Sequence, residues 1–438
     1  MILSPFADSE AASSTSGTNA GRAFFLARQV GRFASVQMLV QLIAFVTGIL
    51  LVRRMEQREY GLFTVANTMQ GTMNVLADVG ISIGLISIGG RVWQDSHRFG
   101  ELIRTGLKLR RRLGVFTVVT ITPLLYYLLT KNGASISYTL ILIAAVCTAL
   151  SAQLSIGVLE VVPRLRSEIR LIQKIDLTGA LARLATVVAL AFVFLNAGVA
   201  AFIGSGALLL QYLLLRRYAA RSIDLSAAEN AEDRRTMIGL IRQQAANAIF
   251  YCLQGQIAIF LITVFSHRVG AVAEVGALGR LAMIYSVIAN LIMNIFAPAF
   301  ARCQERQRLG WLYLGIFGAV AGFSLLVLVG AAFLPNEFLF VLGNRYAHLQ
   351  RELLLMVGGA SLTMLASTLW ILNASRAWTA GSWLNIPLTI AAQLFLIPFI
   401  DFSTVSGVLT FNLVAAFPSL LLNLALSYRG FRQPLPVA

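Results

Sequence analysis

Residues 28–91 read RQVGRFASVQMLVQLIAFVTGILLVRRMEQREYGLFTVANTMQGTMNVLADVGISIGLISIGGR. Two apolar runs, 30–52 and 62–88, flank a charged turn, RRMEQREYG, at 53–61. A helix needs about 20 apolar residues to cross a hydrocarbon core about 30 Å thick, and both runs reach that length. The stretch therefore reads as a membrane hairpin. It keeps one acid, Asp78, near the far end of its second run. A carboxylate inside an apolar hairpin that opens between arginines points to the movement of something polar.

The rest of the chain agrees. It is 58% hydrophobic and 12% charged, with a mean hydropathy of +0.77. Soluble domains have about 45–50% apolar and about 25% charged residues, so this is a polytopic membrane protein. The net charge of +16 does not imply nucleic acid, because the basic residues sit in short runs between apolar segments. Apart from Lys108, Lys131 and Lys174 these are all arginines. Cys147, Cys252 and Cys303 are scattered singly, as are His97, His267 and His348. That spacing gives no metal site, no disulfide framework and no histidine-base enzyme. No G-x-x-x-x-G-K-[ST] motif occurs, which argues against ATP hydrolysis, and no cofactor is expected.

Further apolar segments fall near 113–130, 138–162, 175–196, 199–215, 243–266, 277–300, 311–334, 353–374, 383–400 and 404–427, making twelve. Pro163, Pro298, Pro387, Pro398 and Pro418 are expected to bound or kink them. With the N-terminus cytoplasmic, 26 Lys and Arg fall in inner segments and seven in outer ones, so both termini are placed inside. The 1–27 stretch lacks the basic and apolar pattern of a signal peptide and reads as a disordered cytoplasmic tail. A lobe of six helices would follow over 28–217, a solvated linker over 218–241, a second six-helix lobe over 242–430, and a tail over 431–438. A shift of 215 residues lays Glu59-Tyr60-Gly61 on Glu274-Val275-Gly276 and Gln41 on Gln256, which suggests a duplicated unit. The 91–112 segment reads as an amphipathic inner helix whose Trp93, Phe99, Leu102, Leu107 and Leu109 would meet lipid. Its alternative is an orientation signal alone.

The 58–82 stretch, REYGLFTVANTMQGTMNVLADVGIS, resembles the second-helix region of Wzx-type lipid-linked oligosaccharide flippases. That polysaccharide transporter family is related to MATE exporters within the MOP superfamily. Its E-Y-G turn leads into a helix ending in a D-x-G-x-S-like motif, matched by Asp78-Val79-Gly80-Ile81-Ser82. EVGALGRLAMI at 274–284 answers in the second half, with Arg280 where the family commonly has a basic residue. The resemblance implies an all-α, MATE-like fold of about twelve transmembrane helices in two lobes. It also implies transport of an undecaprenyl-diphosphate-linked oligosaccharide across the bacterial inner membrane. Helices one, two, seven and eight would face a central cavity lined by cations.

Four arginines are the candidates for binding diphosphate: Arg28 and Arg32 on one face of the first helix, Arg183 within an apolar run, and Arg280. A charge at a helix centre costs about 2.5–3.5 kcal/mol, so Arg183 should face a cavity or a partner. Snorkelling and positive-inside topology are the plainer explanations for these arginines. Asp78 would balance a cavity arginine or couple transport to H+ or Na+, the alternative being a structural carboxylate. Gln41, Gln254, Gln256 and Asn290, with Asn247 and Asn294, would line a wet path for sugar hydroxyls, unless they only bond between helices. Gly204-Ser205-Gly206 reads as close helix packing. Partners would be the bilayer, the polyprenyl-linked glycan and the polymerase or chain-length machinery.

One rival is a MATE-like small-molecule exporter, which would want a dominantly acidic cavity. Another is a membrane polymerase or glycosyltransferase, which would want a catalytic outer loop. The longest outer segment, 335–352, offers only Glu337, Arg345, His348 and Glu352.

Overall fold

The computed structural model describes residues 19–433 except 192, 193, 267, 269 and 304, with side chains from residue 35 onward other than those of 247, 294 and 302. Its elements are helical throughout. The first half holds α1 (Asn19–Arg54), α2 (Gln57–Asp78), α3 (Ile81–Val92), α4 (Ser96–Lys131), α5 (Ile136–Leu159), α6 (Val161–Leu165), α7 (Ile169–Leu190) and α8 (Ala197–Ser222). The second holds α9 (Ala231–Phe265), α10 (Ala271–Leu281), α11 (Ile284–Leu291), α12 (Ala297–Arg302), α13 (Arg306–Phe333), α14 (Pro335–Leu342), α15 (Gln350–Ser375), α16 (Asn385–Leu396), α17 (Val405–Ala415) and α18 (Phe417–Arg432).

Among the described residues nine helical runs are long and apolar enough to cross a membrane. Two bent pairs, α2 with α3 at 45° and α10 with α11 at 41°, raise the number to eleven. The twelfth expected segment is α7, whose 22 residues include Arg170, Lys174, Asp176 and Arg183. In each half the second span is the broken one, which fits a duplicated plan.

The chain forms two compact units, one comprising the chain to Leu51 with Leu62–Gln256, the other Val52–Gly61 with Ile257–Ala438. In the first unit Ile81, Leu85, Phe99, Leu102, Ile103, Val158, Val162 and Met237 build a core among α3–α6 and α9. This corrects the amphipathic reading of 91–112. α3 ends at Val92, and Asp95 caps a new helix by accepting from the backbone N–H of His97 (2.9 Å) and Arg98 (3.1 Å). That helix is α4, and it continues unbroken into the membrane segment. Phe99, Leu102 and Leu109 are buried in the core, with Trp93 and Leu107 packed against it. The apolar stripe of these first turns faces protein rather than lipid.

The helix-free linker is shorter than 218–241. α8 runs to Ser222, and Asn230 starts α9 by accepting from the N–H of Glu232 (3.0 Å) and Asp233 (3.3 Å). Glu232 and Asp233 then sit in the first turn, where the helix dipole favours acids. The linker is also pinned. Asp224 meets His97 at 3.0 Å, Asn230 donates to Thr105 Oγ1 at 2.9 Å, and buried Asp233 takes both Arg98 Nη atoms at 2.6 and 2.7 Å. Lys108 pairs with Glu229. α1 likewise starts at Asn19, inside the stretch expected as a tail, while residues 1–18 and 434–438 lie outside the description.

In the second unit α15 packs on α13, α17 and α18. Phe300, Tyr313, Trp378 and Phe431 form an aromatic cluster at one end. Asn373 donates to the Asn423 carbonyl at 2.9 Å and accepts from Ser427 at 2.8 Å, so its buried amide is satisfied. The 53–61 turn docks in this unit: Arg53 Nε donates to the Val341 carbonyl (2.8 Å) and Arg345 to that of Met55 (2.8 Å).

Candidate functional site

Asp78 is the last residue of α2, and the break that follows it sets its chemistry. Gly80 adopts φ 77°, a left-handed conformation, and a Cβ there would lie 3.1 Å from the Leu240 carbonyl oxygen. Glycine therefore permits the 45° turn into α3. The turn carries Ser82 back so that its hydroxyl donates to Asp78 Oδ1 at 2.7 Å. On the other side Arg110 Nη2 of α4 stands 3.4 Å from the same oxygen. Arg110 is only 4% exposed. Its guanidinium occupies the space above Gly157 of α5, where a Cβ would fall 2.0 Å from Nη1. Nε and Nη1 of Arg110 have no hydrogen-bond partner among the described residues. The result is an asymmetric ion pair, with the arginine sealed in the core and the carboxylate 34% exposed.

Sequence reasoning foresaw an arginine opposite Asp78 but not this one. Arg110 stood in the run Arg110-Arg111-Arg112 and was counted with the orientation signal. Its helical phase with Phe99, Ile103, Gly106 and Thr117, all buried, marks it as a core position.

Arg183 lies elsewhere in the first unit, on α7. It lines a cavity of about 640 Å³ between α5, α7 and α8, with walls formed by Ile141, Leu190, Phe202 and Leu210. Tyr138, Thr186 and Asn196 add polar groups, and Arg183 is the charged member among the described lining residues. Two of the polar groups are engaged in building the site. Asn196 caps α8 by accepting from the Val199 N–H (2.8 Å), and the Tyr138 hydroxyl accepts from the Gly198 N–H (3.1 Å). The Gly204-Ser205-Gly206 reading needs a partial correction. Ser205 bonds across to the Ala145 carbonyl at 2.9 Å, which is close packing. Gly206 lines the cavity, and a Cβ there would meet nothing within 4 Å.

Arg280 sits on α10 in the second unit. Its Nε donates to the Tyr60 hydroxyl (3.2 Å), which donates to the Gly276 carbonyl (3.3 Å). The two Glu-x-Gly sequences, expected as turns, thus touch, and both lie in the first turns of helices, α2 and α10. Glu274, 2% exposed, gathers Arg268 at 3.0 Å, His348 at 3.3 Å and Gln57 at 3.4 Å. The outer residues considered for an enzyme are thereby committed elsewhere: Arg345 to Met55, His348 to Glu274, Glu352 to Ser406.

Arg28 and Arg32 fall on α1, but their side chains lie outside the described residues, as do those of Asn247 and Asn294. Gln41 on α1 and Gln254 and Gln256 on α9 are half-buried, and Asn290 on α11 donates to the Ser286 carbonyl of its own helix at 2.9 Å.

No family model and no curated protein sequence matches the chain. Solved structures do. A multidrug resistance MATE family transporter of the MOP superfamily, in its inward-facing conformation, superposes with TM-score 0.63 at 16% identity, over 90% of this chain and 98% of that one. The lipid II flippase MurJ, inward closed, gives 0.70 at 9% identity over 91% and 88%. A MOP superfamily transporter from Pyrococcus furiosus, described by a binding pocket of reverse polarity, gives 0.56 at 15% over 92% and 96%. At these identities the likeness establishes the fold, which is that of the MOP-superfamily transporters.

Proposed function

We propose that the chain is a flippase that carries an undecaprenyl-diphosphate-linked oligosaccharide across the bacterial inner membrane by alternating access, with both termini cytoplasmic. The observation that carries this reading is the Arg183 cavity: apolar walls, a guanidinium, and no carboxylate among its described lining residues. Such a site suits an anion on a greasy carrier, because a guanidinium offers paired N–H donors to phosphate oxygens. A polar head need not then cross hydrocarbon with its charge uncompensated. The lipid II flippase among the structural neighbours supports the same substrate class. Arg280 and, by position on α1, Arg28 and Arg32 are assigned to the same anion along its path. Asp78 is the group through which H+ or Na+ would couple. A polymerase or chain-length protein would receive the product.

A MATE-like exporter of small cations is the second reading, favoured by the multidrug transporter among the neighbours. Against it, the acid of the opening hairpin, Asp78, already faces Arg110.

Reconstitution in liposomes with a fluorescent polyprenyl-diphosphate glycan separates the two. Wild-type protein is expected to speed leaflet exchange over empty vesicles, and Arg183→Ala to slow it by about tenfold or more, the worth of a charged hydrogen bond. Exchange no faster than in empty vesicles, or normal exchange by both Arg183→Ala and Arg280→Ala at equal expression, sinks the reading or its site respectively.

A further inference from the structure

On α2 the usual arrangement of a membrane helix is inverted. Leu62, Phe63, Val65, Ala66, Met69, Met73 and Ala77 are all buried. The less buried face carries exposed Asn67 and Gly71 and half-buried Asn74 and Asp78, with exposed Val75 at its margin. At 100° per residue these four positions fall within about 60° of one another, a single narrow ridge. Gln70 flanks it and donates to Gln153 Oε1 of α5 at 3.2 Å, which fixes a second amide pair beside the ridge. A Cβ added to Gly71 would meet nothing within 4 Å, so the ridge has an open notch at its middle. Asn74 Oδ1 is shielded and accepts no hydrogen bond among the described residues.

Amides on the open face of a helix otherwise fit to cross a membrane are costly against lipid and harmless against water. We infer that this ridge is a glycan-binding track, in which Asn67 and Asn74 hydrogen-bond the hydroxyl groups of a neutral oligosaccharide. The inference rests on the lipid-linked reading above and assigns the sugar, as distinct from the diphosphate, to α2. Asn67 presents two donors and a carbonyl acceptor and Asn74 its amide donors, matching hydroxyls that both donate and accept. The ridge extends about 16 Å, eleven residues at 1.5 Å each, long enough for a short run of sugar rings. Its amides are uncharged, so each contact is modest and replaceable, which suits a path more than a trap. Gly71 leaves room for a ring to lie against the backbone.

The test uses two probes in the same vesicles, one polyprenyl diphosphate bearing a tetrasaccharide and one bearing a single sugar. The Asn67→Leu/Asn74→Leu double variant is expected to slow the tetrasaccharide probe about tenfold and the single-sugar probe less than about twofold, with Asn→Gln at both sites restoring the rate. Equal slowing of both probes, or of neither, overturns the inference. Binding of the free tetrasaccharide to purified protein, followed by saturation-transfer NMR, is independent of flipping. Saturation transfer to wild type but not to the double leucine variant supports the track even if no lipid probe moves. No transfer to wild type overturns it.

Discussion

α2 and α4 cross the same unit with opposite faces turned outward. α4 buries Arg110 and Thr117 and exposes Val115, Phe116 and Val119, each at least 60% open. α2 buries leucine, phenylalanine and methionine and exposes Asn67 and, in part, Asn74 and Asp78. Apolar-out is the signature of contact with lipid, and polar-out inside an apolar span that of contact with water. The contrast shows that mean hydropathy, which puts both helices in the membrane, does not say which solvent each meets.

The largest expected effect comes from a pair that links the two helices, Asp78 and Arg110. Asp78→Ala strands a guanidinium that is 4% exposed, at a cost of about 3–5 kcal/mol, the range for breaking a buried pair. Arg110→Ala strands a carboxylate that is 34% exposed and can hydrate, so its cost is expected to be smaller, about 1–3 kcal/mol. Gly157→Ala is expected to act like Arg110→Ala, and to be nearly neutral in a protein already lacking that arginine. Thermal unfolding in detergent reads all of these. Equal losses for Asp78→Ala and Arg110→Ala would show that the pair is evenly solvated.

A smaller effect separates the two open faces. Val119→Arg puts a charge on the lipid side of α4 and is expected to cost about 2.5–3.5 kcal/mol in a membrane-insertion assay. Asn74→Leu on α2 is expected to leave stability within about 0.5 kcal/mol. If leucine at 74 destabilises as much as arginine at 119, the two faces do not meet different solvents.

The smallest effect lies outside the membrane, at the foot of α4. The hydroxyl and backbone N–H of Ser226, then His97, hold the Asp224 carboxyl below its ordinary value. Lys108 does the same for Glu229. A depressed carboxylate contributes stability that is present above its unfolded pKa of about 4 and lost as pH falls through the lower folded value. Limited proteolysis of the 223–230 linker is therefore expected to be unchanged from pH 7 to about 5 and to accelerate below about pH 4. Acceleration already near pH 6 would show that these two carboxylates do not control the linker.

The sequence by itself determined the membrane class and the helical fold. These follow from run length and apolarity, both local properties, whereas the break in the second span of each half came from the structure. The sequence also placed Asp78 and Arg183 inside apolar segments, where a charge needs a reason. The polar ridge on α2 went unread, although Asn67, Asn74 and Asp78 recur at helical spacing, because nothing local shows that this face is open. Only the tertiary structure decided that Phe99 and Leu102 pack into protein instead of lipid, and that Arg110, not its neighbours Arg111 and Arg112, answers Asp78. It also decided that Arg183 opens onto a cavity. The physical reason is the same in each case. A helical pattern shows which residues share a face, but burial and charge pairing depend on what the rest of the chain brings against it.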